Sequence, residues 1–408
     1  MTPATVVSGT QPLDRSMRVQ QGASRAPLRV MFWVQHLLGT GHLERVRRIA
    51  EALADRGEIV HFVTGGVPIA GRMPRDVHIV QLPPIRVSDV SFNPLRDEFL
   101  QPIDEDFRRD RARRVLAAFE EANPSIVVFE TFPFGRRSLR FELFPLLEHV
   151  ARTTPRPRLI ASVREILQLE EVAGRDAEAW ELADRWFDGI LVHGDAGFAR
   201  LEETSPFAAR SRVPIHYTGF VTAPDTAPPR VPRDEQDEIV VSAGGGGTGT
   251  HVLEAAIHAR KLSKWRNLTW RVLVGPGVAE SRYRELAAHA EPGLVVERNR
   301  PDFPALLARA RVSVSQAGYN TVMDVLRSGA PAVMVPFAGR RETEQRMRTE
   351  RLATLGAIDL LDERDLSPPA LAAAVDRAAE RDERSALAFD MDGASASAAL
   401  IATYAPDR

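Results

Sequence analysis

The stretch that decides the fold is VSVSQAGYNTVMDVLRSGAPAVMVPFAGRRETEQRMRTERL, residues 312–352. An apolar run ends at Ser315, Gly318 turns the chain, and a segment with helical periodicity follows. A second apolar run, 332–336, leads through a loop into another helical segment near 342–355. Buried strands joined by helices are typical of a parallel sheet with both faces covered. The stretch therefore predicts an α/β fold.

The same alternation runs along almost the whole chain and is interrupted once. The predicted strands are 29–34, 59–64, 77–82, 125–130, 158–163, 189–193, 215–219, 239–242, 269–274, 294–297, 312–315 and 332–336. In the second half, helices are predicted near 250–262, 280–289, 303–310, 320–328 and 342–355. The interruption, VTAPDTAPPRVPRDEQD (221–237), is rich in proline and charge and is typical of a linker.

The pattern predicts two doubly wound, Rossmann-like halves that face a cleft. The predicted segments are a disordered extension (1–27, with Met17 as an alternative start), an N-terminal domain (28–220), the linker (221–237), a C-terminal domain (238–380) and a final segment (381–408). The last helical pattern, 368–403, is long enough to return to the first domain. Ligands of such sheets bind outside the carboxyl ends of the strands, so the cleft is the expected site.

Composition excludes several classes of protein. The 408 residues are 44% hydrophobic and 26% charged, which is ordinary for a globular chain. A net charge of −2 provides no basic field for nucleic acid. The absence of cysteine excludes disulfides, thiolate catalysis and cysteine-bound zinc, and favours a cytoplasmic setting. Nowhere do 18 apolar residues follow one another, so the sequence predicts no transmembrane helix.

The first chemical motif is VQHLLGTGHLERV, residues 34–46. Gly39 and Gly41 turn the chain after a buried strand, and His42 opens a helix. A helix N-terminus disfavours a protonated imidazole, so this histidine is expected to be neutral and able to act as a base. A tight turn with a capping histidine is an equally good interpretation of the motif alone.

The second motif, VVSAGGGGTGTHVLEAA (240–256), places a glycine-rich loop between a strand and a helix. Glycines permit close approach of a ligand, and the helix N-terminus offers N–H donors, so the loop predicts phosphate binding. A flexible turn is the alternative, since the loop lacks the ending of a Walker A motif.

The third motif is the stretch quoted first. After Gly318, Asn320 or Thr321 is expected to open a helix, and Asp324 to project from its first turn toward ribose hydroxyls. Glu344 and Gln345, in the first turn of the later helix, are expected to hydrogen-bond the hydroxyls of a bound sugar.

In their order and spacing, the three motifs resemble glycosyltransferase family 28, which includes a peptidoglycan N-acetylglucosaminyltransferase, and within it a divergent bacterial branch. The resemblance implies a GT-B fold, a UDP-sugar bound mainly by the C-terminal domain, an acceptor bound by the N-terminal domain, and inversion at the anomeric carbon without a metal or cofactor. The donor-binding residues it implies are Gly245, Gly246, Gly247, Thr248, Gly249, Arg300, Gly318, Thr321, Asp324, Glu344 and Gln345. Asp324 replaces the family's glutamate and Glu344 its glutamine, so the donor sugar need not be N-acetylglucosamine.

Charged residues at other predicted strand ends complete the candidate site. The segments ETFPFGRR (130–137) and SVRE (162–165) place Glu130, Arg136 and Arg164 at the cleft, and His193 ends a further strand. Each alone is best explained as a solvated loop charge, but together they predict an acceptor site. The acceptor-binding residues expected are Gly39, Gly41, Arg136 and Arg164.

Three further patterns have simpler explanations. The run 136–152 mixes basic and apolar residues, and a helix packed on the core explains it better than peripheral membrane docking does. The pairs Asp104–Asp106 and Asp390–Asp392 resemble a metal-binding Asp-x-Asp motif. They lie away from strand ends, however, and are expected at the surface.

The function that this sequence predicts is an inverting, metal-independent glycosyltransferase with His42 as base, or Glu130 as the second candidate. The helix N-terminus at 247–250, together with Arg340 or Arg341, is expected to stabilise the departing diphosphate. The expected partners are a nucleotide-sugar donor and a small-molecule or lipid-linked acceptor. The alternatives are a nucleotide-sugar hydrolase or 2-epimerase, and a non-catalytic subunit that binds a nucleotide sugar.

Overall fold

The computed structural model of the chain describes residues 26–37, 41–69, 73–87, 94–168, 174–222, 229–245, 249–339, 343–381 and 389–405. Several residues named above therefore lie outside the described part of the chain. They are Met17, Gly39, Gly246, Gly247, Thr248, Arg340 and Arg341.

The first half is a seven-stranded, fully parallel sheet with the order β3-β2-β1-β4-β5-β6-β7. Its strands are β1 (Arg29–Val34), β2 (Ile59–Thr64), β3 (His78–Gln81), β4 (Ile126–Glu130), β5 (Arg158–Arg164), β6 (Gly189–His193) and β7 (Ile215–Tyr217). Its helices are α1 (Gly41–Asp55), α2 (Glu105–Ala122), α3 (Arg140–Arg152), α4 (Arg175–Trp186) and α5 (Leu201–Thr204). The central strands are buried along nearly their whole length, as their continuous apolar sequences predict.

The second half is a six-stranded parallel sheet with the order β10-β9-β8-β11-β12-β13. Its strands are β8 (Glu238–Ser242), β9 (Thr269–Val274), β10 (Leu294–Arg298), β11 (Ala310–Gln316), β12 (Ala332–Val335) and β13 (Asp359–Leu360). Its helices are α6 (Thr250–Ala259), α7 (Glu280–Ala287), α8 (Phe303–Arg309), α9 (Tyr319–Ser328), α10 (Glu344–Thr354) and α11 (Pro368–Glu380), and a last helix, α12 (Gly393–Thr403), follows. The predicted doubly wound α/β class is confirmed.

The strand order reverses once in each sheet. The reversal lies between β1 and β4 in the first sheet and between β8 and β11 in the second. At a reversal, the loops that follow two neighbouring strands diverge and leave a crevice at the carboxyl edge of the sheet. The three sequence motifs follow β1, β8 and β11, so the fold places all of them at these two crevices.

The end of the chain differs from the expected continuous helical pattern over 368–403. Helix α11 ends at Glu380 and α12 begins at Gly393, and the residues just before α12 pair with the end of the first half. Phe220 donates its N–H to Asp390 O at 2.7 Å, and Gly393 donates to Phe220 O at 3.0 Å. These hydrogen bonds with residues near Phe220 take the place of helical bonds, and the segment leads into α12, which packs on α1.

The two segments that pass between the halves are tied together at the second sheet. Within the predicted linker, Arg233 donates hydrogen bonds to Ala379 O at 2.8 Å and to Arg381 O at 2.9 Å. Its neighbour Arg230 donates to Ala310 O at 2.8 Å. The described part of the linker is thus fixed to the second half by guanidinium–carbonyl bonds, whereas proline content alone predicted only a spacer. The domain limits themselves stay a prediction.

The surface patterns have structural explanations. The apolar side chains of α3 are buried in the core of the first half, and Asp104 caps α2 by accepting a hydrogen bond from Phe107 N at 2.8 Å. Among the described helices, none is long and apolar enough to cross a membrane.

A buried ion pair joins α2 to α3 within this core. Arg111 and Glu142 are fully buried and form it. Glu142 Oε1 also accepts a hydrogen bond from Trp33 Nε1 at 3.0 Å, and Arg111 donates to Gln35 Oε1 at 2.6 Å. Because both charges lie away from water, loss of either partner would leave the other uncompensated.

We expect Glu142→Gln to destabilise the protein by about 3–5 kcal/mol, since Arg111 would stay buried without its counter-ion. Glu148→Gln changes an exposed glutamate of the same helix and should leave stability close to that of the wild type. Urea denaturation of both variants measures the difference. Equal stabilities would show that Arg111 is neutralised by other groups.

Candidate functional site

The candidate base lies at the strand reversal of the first sheet. His42 is the second residue of α1, which follows β1 directly. The preceding Gly41 is closely approached from both halves of the chain: a Cβ there would lie 3.1 Å from Arg164 Nη2 and 3.6 Å from Asn320 Nδ2. The helix start is thus held in a narrow gap between the sheets.

His42 is paired with Glu130, the last residue of β4. His42 Nδ1 lies 2.8 Å from Glu130 Oε1, and the carboxylate is also ion-paired with Arg45, one turn further along α1. Thr131 Oγ1 lies 3.2 Å from the same imidazole nitrogen. Glu130 and Arg45 are almost completely buried, whereas the side chain of His42 remains 23% exposed. The structure thus brings together the two residues predicted as candidate bases.

The charges around this pair set its protonation. Burial by itself would raise the pKa of Glu130, but Arg45 and the hydrogen bonds from His42 and Ser162 lower it well below its usual range. Burial, with Arg164 and Arg136, lowers the pKa of His42 to about 3, against the opposing effect of its bond to Glu130. At neutral pH the pair is a carboxylate and a neutral imidazole, and since the carboxylate only accepts hydrogen bonds, Nδ1 of His42 carries the proton.

This protonation state has a chemical consequence. With its proton on Nδ1, His42 presents Nε2 as the basic nitrogen. A histidine oriented in this way by a carboxylate is the arrangement that general-base catalysis uses. The neutral state agrees in direction with the expectation from the sequence, although the dominant cause is burial and neighbouring arginines.

Tyr319, the first residue of α9, connects the second half to this pair. Its hydroxyl donates to His193 O at 3.1 Å. Three guanidinium groups lie against its buried ring, those of Arg45, Arg164 and Arg348, at 5.6, 5.4 and 5.2 Å from the centroid. Cation–π contacts of this kind are strongest where water is excluded. Tyr319 therefore packs the start of α9 against Arg45, the ion-pair partner of Glu130.

Two residues expected to bind different substrates are paired with each other. Arg164, at the end of β5, donates to both oxygens of Glu344, at 2.7 and 2.8 Å. Arg348 donates to Glu344 at 2.6 Å and to Glu165 at 2.7 Å. These four charged residues, two from each half of the chain, form ion pairs that link the halves. Arg164 and Glu344 therefore lie at one point of the cleft.

Arg136 also borders this cluster. It follows β4 in a left-handed backbone conformation (φ 63°), and its Nε donates to Gln35 O at 2.9 Å. Burial lowers its pKa to about 10, so it remains a cation at neutral pH. The next residue, Arg137, turns away and pairs with Glu178 on α4.

On the second half, the glycine-rich loop begins and ends against its neighbours. Gly245 O accepts a hydrogen bond from Gly277 N at 3.3 Å. Gly249 caps α6 with φ 91°, and a Cβ there would lie 2.8 Å from Gln316 Oε1. Both the backbone angle and the close approach require glycine at this position. The loop therefore presents the N-terminus of α6 at the reversal of the second sheet.

The third motif corrects one expectation. Gly318 precedes α9, which begins at Tyr319, so Asp324 is the sixth helical residue and lies in the second turn rather than the first. The helix starts earlier because Gly318 already occupies the capping position. Thr321 Oγ1 lies beside the glycine loop, 3.9 Å from where a Cβ of Gly244 would be.

The remaining predicted donor residues follow other strands of the second sheet, β12 and β10. Gln345 Oε1 accepts a hydrogen bond from Phe337 N at 3.2 Å and so fixes the loop after β12. The guanidinium of Arg300 forms an ion pair with Asp302, with contacts of 2.6 and 2.8 Å. The donor and acceptor roles of all these residues stay predictions.

The sequence analysis missed part of the cluster. It did not single out Arg45, Tyr319 or Arg348, and it named Ser162 and Glu165 only as members of the SVRE segment. Arg45 follows His42 by three residues on one helix, and that spacing places both on one face. For Arg348 and Tyr319, partners more than a hundred residues away decide the role.

Solved structures similar to this chain are glycosyltransferases. The glycotransferase of kitacinnamycin has a TM-score of 0.60 at 17% identity, covering 94% of this chain and 100% of that chain. CalG4, the calicheamicin glycosyltransferase, has a TM-score of 0.57 at 17% identity, covering 92% of this chain and 98% of that chain. MurG of Acinetobacter baumannii has 0.54 at 15%, covering 92% and 100%. With two facing doubly wound sheets, the chain has the GT-B fold of these enzymes.

The sequence matches also point to a glycosyltransferase family. Residues 240–403 match the glycosyltransferase family 28 C-terminal domain. The UDP-N-acetylglucosamine–N-acetylmuramyl-(pentapeptide) pyrophosphoryl-undecaprenol N-acetylglucosamine transferase of Brucella abortus (strain S19) is 26% identical over 203 residues, 47% of this chain and 52% of the relative. The chain spans about half the length of the curated relatives it matches. These matches support assignment of the chain to glycosyltransferase family 28 and confirm the resemblance predicted from its motifs.

Two histidines of the site, the partly buried His42 and the buried His193, predict a pH dependence of stability. The pKa of His42 and of His193 is lowered to about 3, chiefly by burial, against 6.5 for a free side chain. Below pH 6.5 the unfolded chain binds protons that the folded chain does not, so stability should fall as pH falls toward 3. Each histidine contributes a slope of about 1.4 kcal/mol per pH unit.

His193→Gln should therefore reduce the slope of unfolding free energy between pH 5.5 and 4.5 by about 1.4 kcal/mol per pH unit. Denaturant titrations at several pH values measure it. His258→Gln, which changes an exposed residue of α6, is the matched control and should keep the wild-type slope. An unchanged slope in His193→Gln would mean that His193 is protonated in the folded protein.

Proposed function

We propose that this chain is a glycosyltransferase that moves a sugar from a nucleotide diphosphate donor, a UDP-sugar, to a hydroxyl group of an acceptor. The observation that carries the proposal is the His42–Glu130 pair, 2.8 Å apart, at the edge of the first sheet that meets Asn320 of α9. The relatives and the structural neighbours, all glycosyltransferases, support it. Inversion at the anomeric carbon and independence of a metal ion rest on the family resemblance.

The donor belongs on the second half. The N-termini of α6 and α9 lie on either side of the strand reversal, and free N–H groups at helix starts favour the diphosphate. Asp324, on α9, is assigned to the ribose hydroxyls. Glu344 and Gln345, at the start of α10, are assigned to the hydroxyls of the sugar.

In the proposed reaction, the acceptor oxygen attacks the anomeric carbon from the face opposite the diphosphate. The bond between that carbon and the phosphate oxygen breaks, and the electron pair leaves with the diphosphate. Nε2 of His42 takes the proton of the acceptor hydroxyl, and the ionised Glu130 stabilises the resulting imidazolium. The N-terminus of α6 stabilises the negative charge that grows on the leaving group.

The base must be stronger with substrate than without it. A pKa of about 3 makes His42 a poor base at neutral pH, and Arg164 and Arg136 are two of its causes after burial. A donor diphosphate that enters the cleft carries negative charge to these arginines and raises the pKa of His42. Proton abstraction is thereby favoured only when the donor is bound.

The acceptor is proposed to carry an anionic group near its reactive hydroxyl, because Arg136 borders the base. The printed name of the Brucella relative includes a pyrophosphoryl-undecaprenol acceptor, whereas other neighbours are named for small molecules. A lipid-linked acceptor would bring the protein to the cytoplasmic face of a membrane, and a small molecule would leave it in the cytoplasm.

The donor assignment predicts a pattern of ligand binding. UDP or one UDP-sugar should raise the melting temperature of the wild type, and at a hundredfold excess over the dissociation constant it should stabilise the fold by about 2.7 kcal/mol. Asp324→Ala should lose this shift, while Asp365→Ala, at an exposed carboxylate, should keep it. A thermal-shift screen of nucleotides and nucleotide sugars tests it. A shift by dTDP or GDP compounds alone would overturn the UDP assignment.

The base assignment predicts a separation of binding from chemistry. His42→Ala should lower turnover by about 10²–10⁴-fold while the donor still binds as to the wild type. Calorimetric titration and a transfer assay with the sugar found by the screen measure the two effects. Near-normal turnover would remove His42 from the role. Release of free sugar or formation of a new UDP-sugar without acceptor would identify a hydrolase or an epimerase instead.

A further inference from the structure

A line of hydrogen bonds crosses the carboxyl edge of the first sheet and ends at Glu130. Ser162, on β5, lies 2.6 Å by its Oγ from Glu130 Oε2 and 2.9 Å from Nε2 of His193, at the end of β6. Nδ1 of His193 lies 3.0 Å from Thr218 Oγ1, just after β7. All four side chains are buried. Four neighbouring strands thus contribute one polar group each.

The direction of these bonds is fixed by proton number. An ionised carboxylate donates nothing, so Ser162 gives its one hydroxyl proton to Glu130. Toward His193, Ser162 is therefore an acceptor, and Nε2 of His193 carries a proton. Since His193 is neutral, its Nδ1 is unprotonated and accepts a hydrogen bond.

The donor to Nδ1 of His193 is Thr218. Its other contacts, to Val192 O and Gly219 O, are longer, at 3.4 and 3.3 Å. Ser397 of α12 lies 3.3 Å from the same nitrogen, but its hydroxyl is 2.5 Å from Gly393 O and is donated there. Every bond in the line therefore points toward Glu130, and hydrogen bonds that align in this way strengthen one another.

We propose that Ser162 and His193 are positioning residues that hold the carboxylate of Glu130 in the one orientation that fixes the proton of His42 on Nδ1. The proposal rests on the proposed role of His42 as the base. Neither residue touches the reacting atoms.

The geometry divides the work between the two carboxylate oxygens. Oε1 accepts hydrogen bonds from His42 and Arg45, and Oε2 accepts one from Ser162. Without the bond to Oε2, the carboxylate is free to turn toward Arg45, which has several N–H groups to offer. The hydrogen bond between His42 and Glu130 would then weaken, and the imidazole would populate the tautomer with its proton on Nε2. In that tautomer Nε2 cannot take the proton of the acceptor hydroxyl. His193 acts one step earlier, by holding Ser162.

Nitrogen-15 NMR of the histidine side chains in the ligand-free, full-length protein tests this directly. The chain has ten histidines, and His42→Gln and His193→Gln assign the two signals of interest. At pH 7 we expect His42 as the neutral Nδ1–H tautomer and His193 as the neutral Nε2–H tautomer. The opposite tautomer at either residue, or a protonated His193, would overturn the proposal without any variant of Ser162.

Ser162→Ala should give a measurable fraction of the Nε2–H tautomer at His42, and Ser162→Thr, which keeps the hydroxyl, should restore the wild-type spectrum. Ser313→Ala, at a buried serine of β11 in the other sheet, is the control and should leave His42 unchanged. A wild-type tautomer at His42 in Ser162→Ala would refute a positioning role, since a purely structural serine would have this result.

Turnover provides the second measurement. With the donor found by the thermal-shift screen, Ser162→Ala should lower kcat by at least about tenfold, part of the about 10²–10⁴-fold that a positioned base contributes, and leave the donor KM unchanged. Ser162→Thr should recover kcat. A rise in KM with kcat unchanged would contradict the proposal. If no donor is found, the proposed function fails while the tautomer measurement still decides the positioning role.

Discussion

The site depends on a buried carboxylate that remains ionised. Glu130 ends the central strand of a parallel sheet, where burial alone would raise its pKa, and Arg45 on the adjacent helix is the main group that opposes this rise. A buried ion pair is stable only if its remaining polar atoms are satisfied. The hydrogen bonds from His42 and Ser162 meet that requirement. One electrostatic demand, neutralising Glu130, thus accounts for the orientation of the imidazole and for the polar line across four strands.

The repeated strand order explains why the chemistry lies between the halves. Each sheet reverses its order once, and each reversal opens a crevice at the carboxyl edge. With the two edges facing each other, the candidate base His42 of one half and the helix N-termini of the other lie across a gap narrow enough for Gly41 to lie near Asn320. In the proposed reaction, a sugar bound by one half is therefore attacked by an acceptor bound by the other, and neither sheet has to contribute both sites.

The sequence predicted the elements well because their signal is local. Apolar runs and helical periods specify strands such as Arg29–Val34, Ile59–Thr64 and Gly189–His193, whose bounds agree with the prediction. Two-residue β13 was missed because so short a strand has no period. The break between α11 and α12 was missed because its cause is pairing with residues near Phe220, about 170 positions away. The site shows the same division between local and distant signals. The motifs that contain His42 and Glu130 were recognised from the sequence, whereas the pairing of Arg164 with Glu344 depends on how the two sheets meet.

That last pairing constrains how a substrate can bind. Glu344 is held by Arg164 from the first half and by Arg348 from its own helix. Both arginines hold the pKa of Glu344 low, at about 2, so a ligand that displaced Arg164 would leave Arg348 as the carboxylate's ion-pair partner. In the proposed reaction, the donor diphosphate is the anion that pairs with the released Arg164. Under that proposal, donor entry and the exchange of this ion pair occur together, because a largely buried Arg164 is costly without an anion.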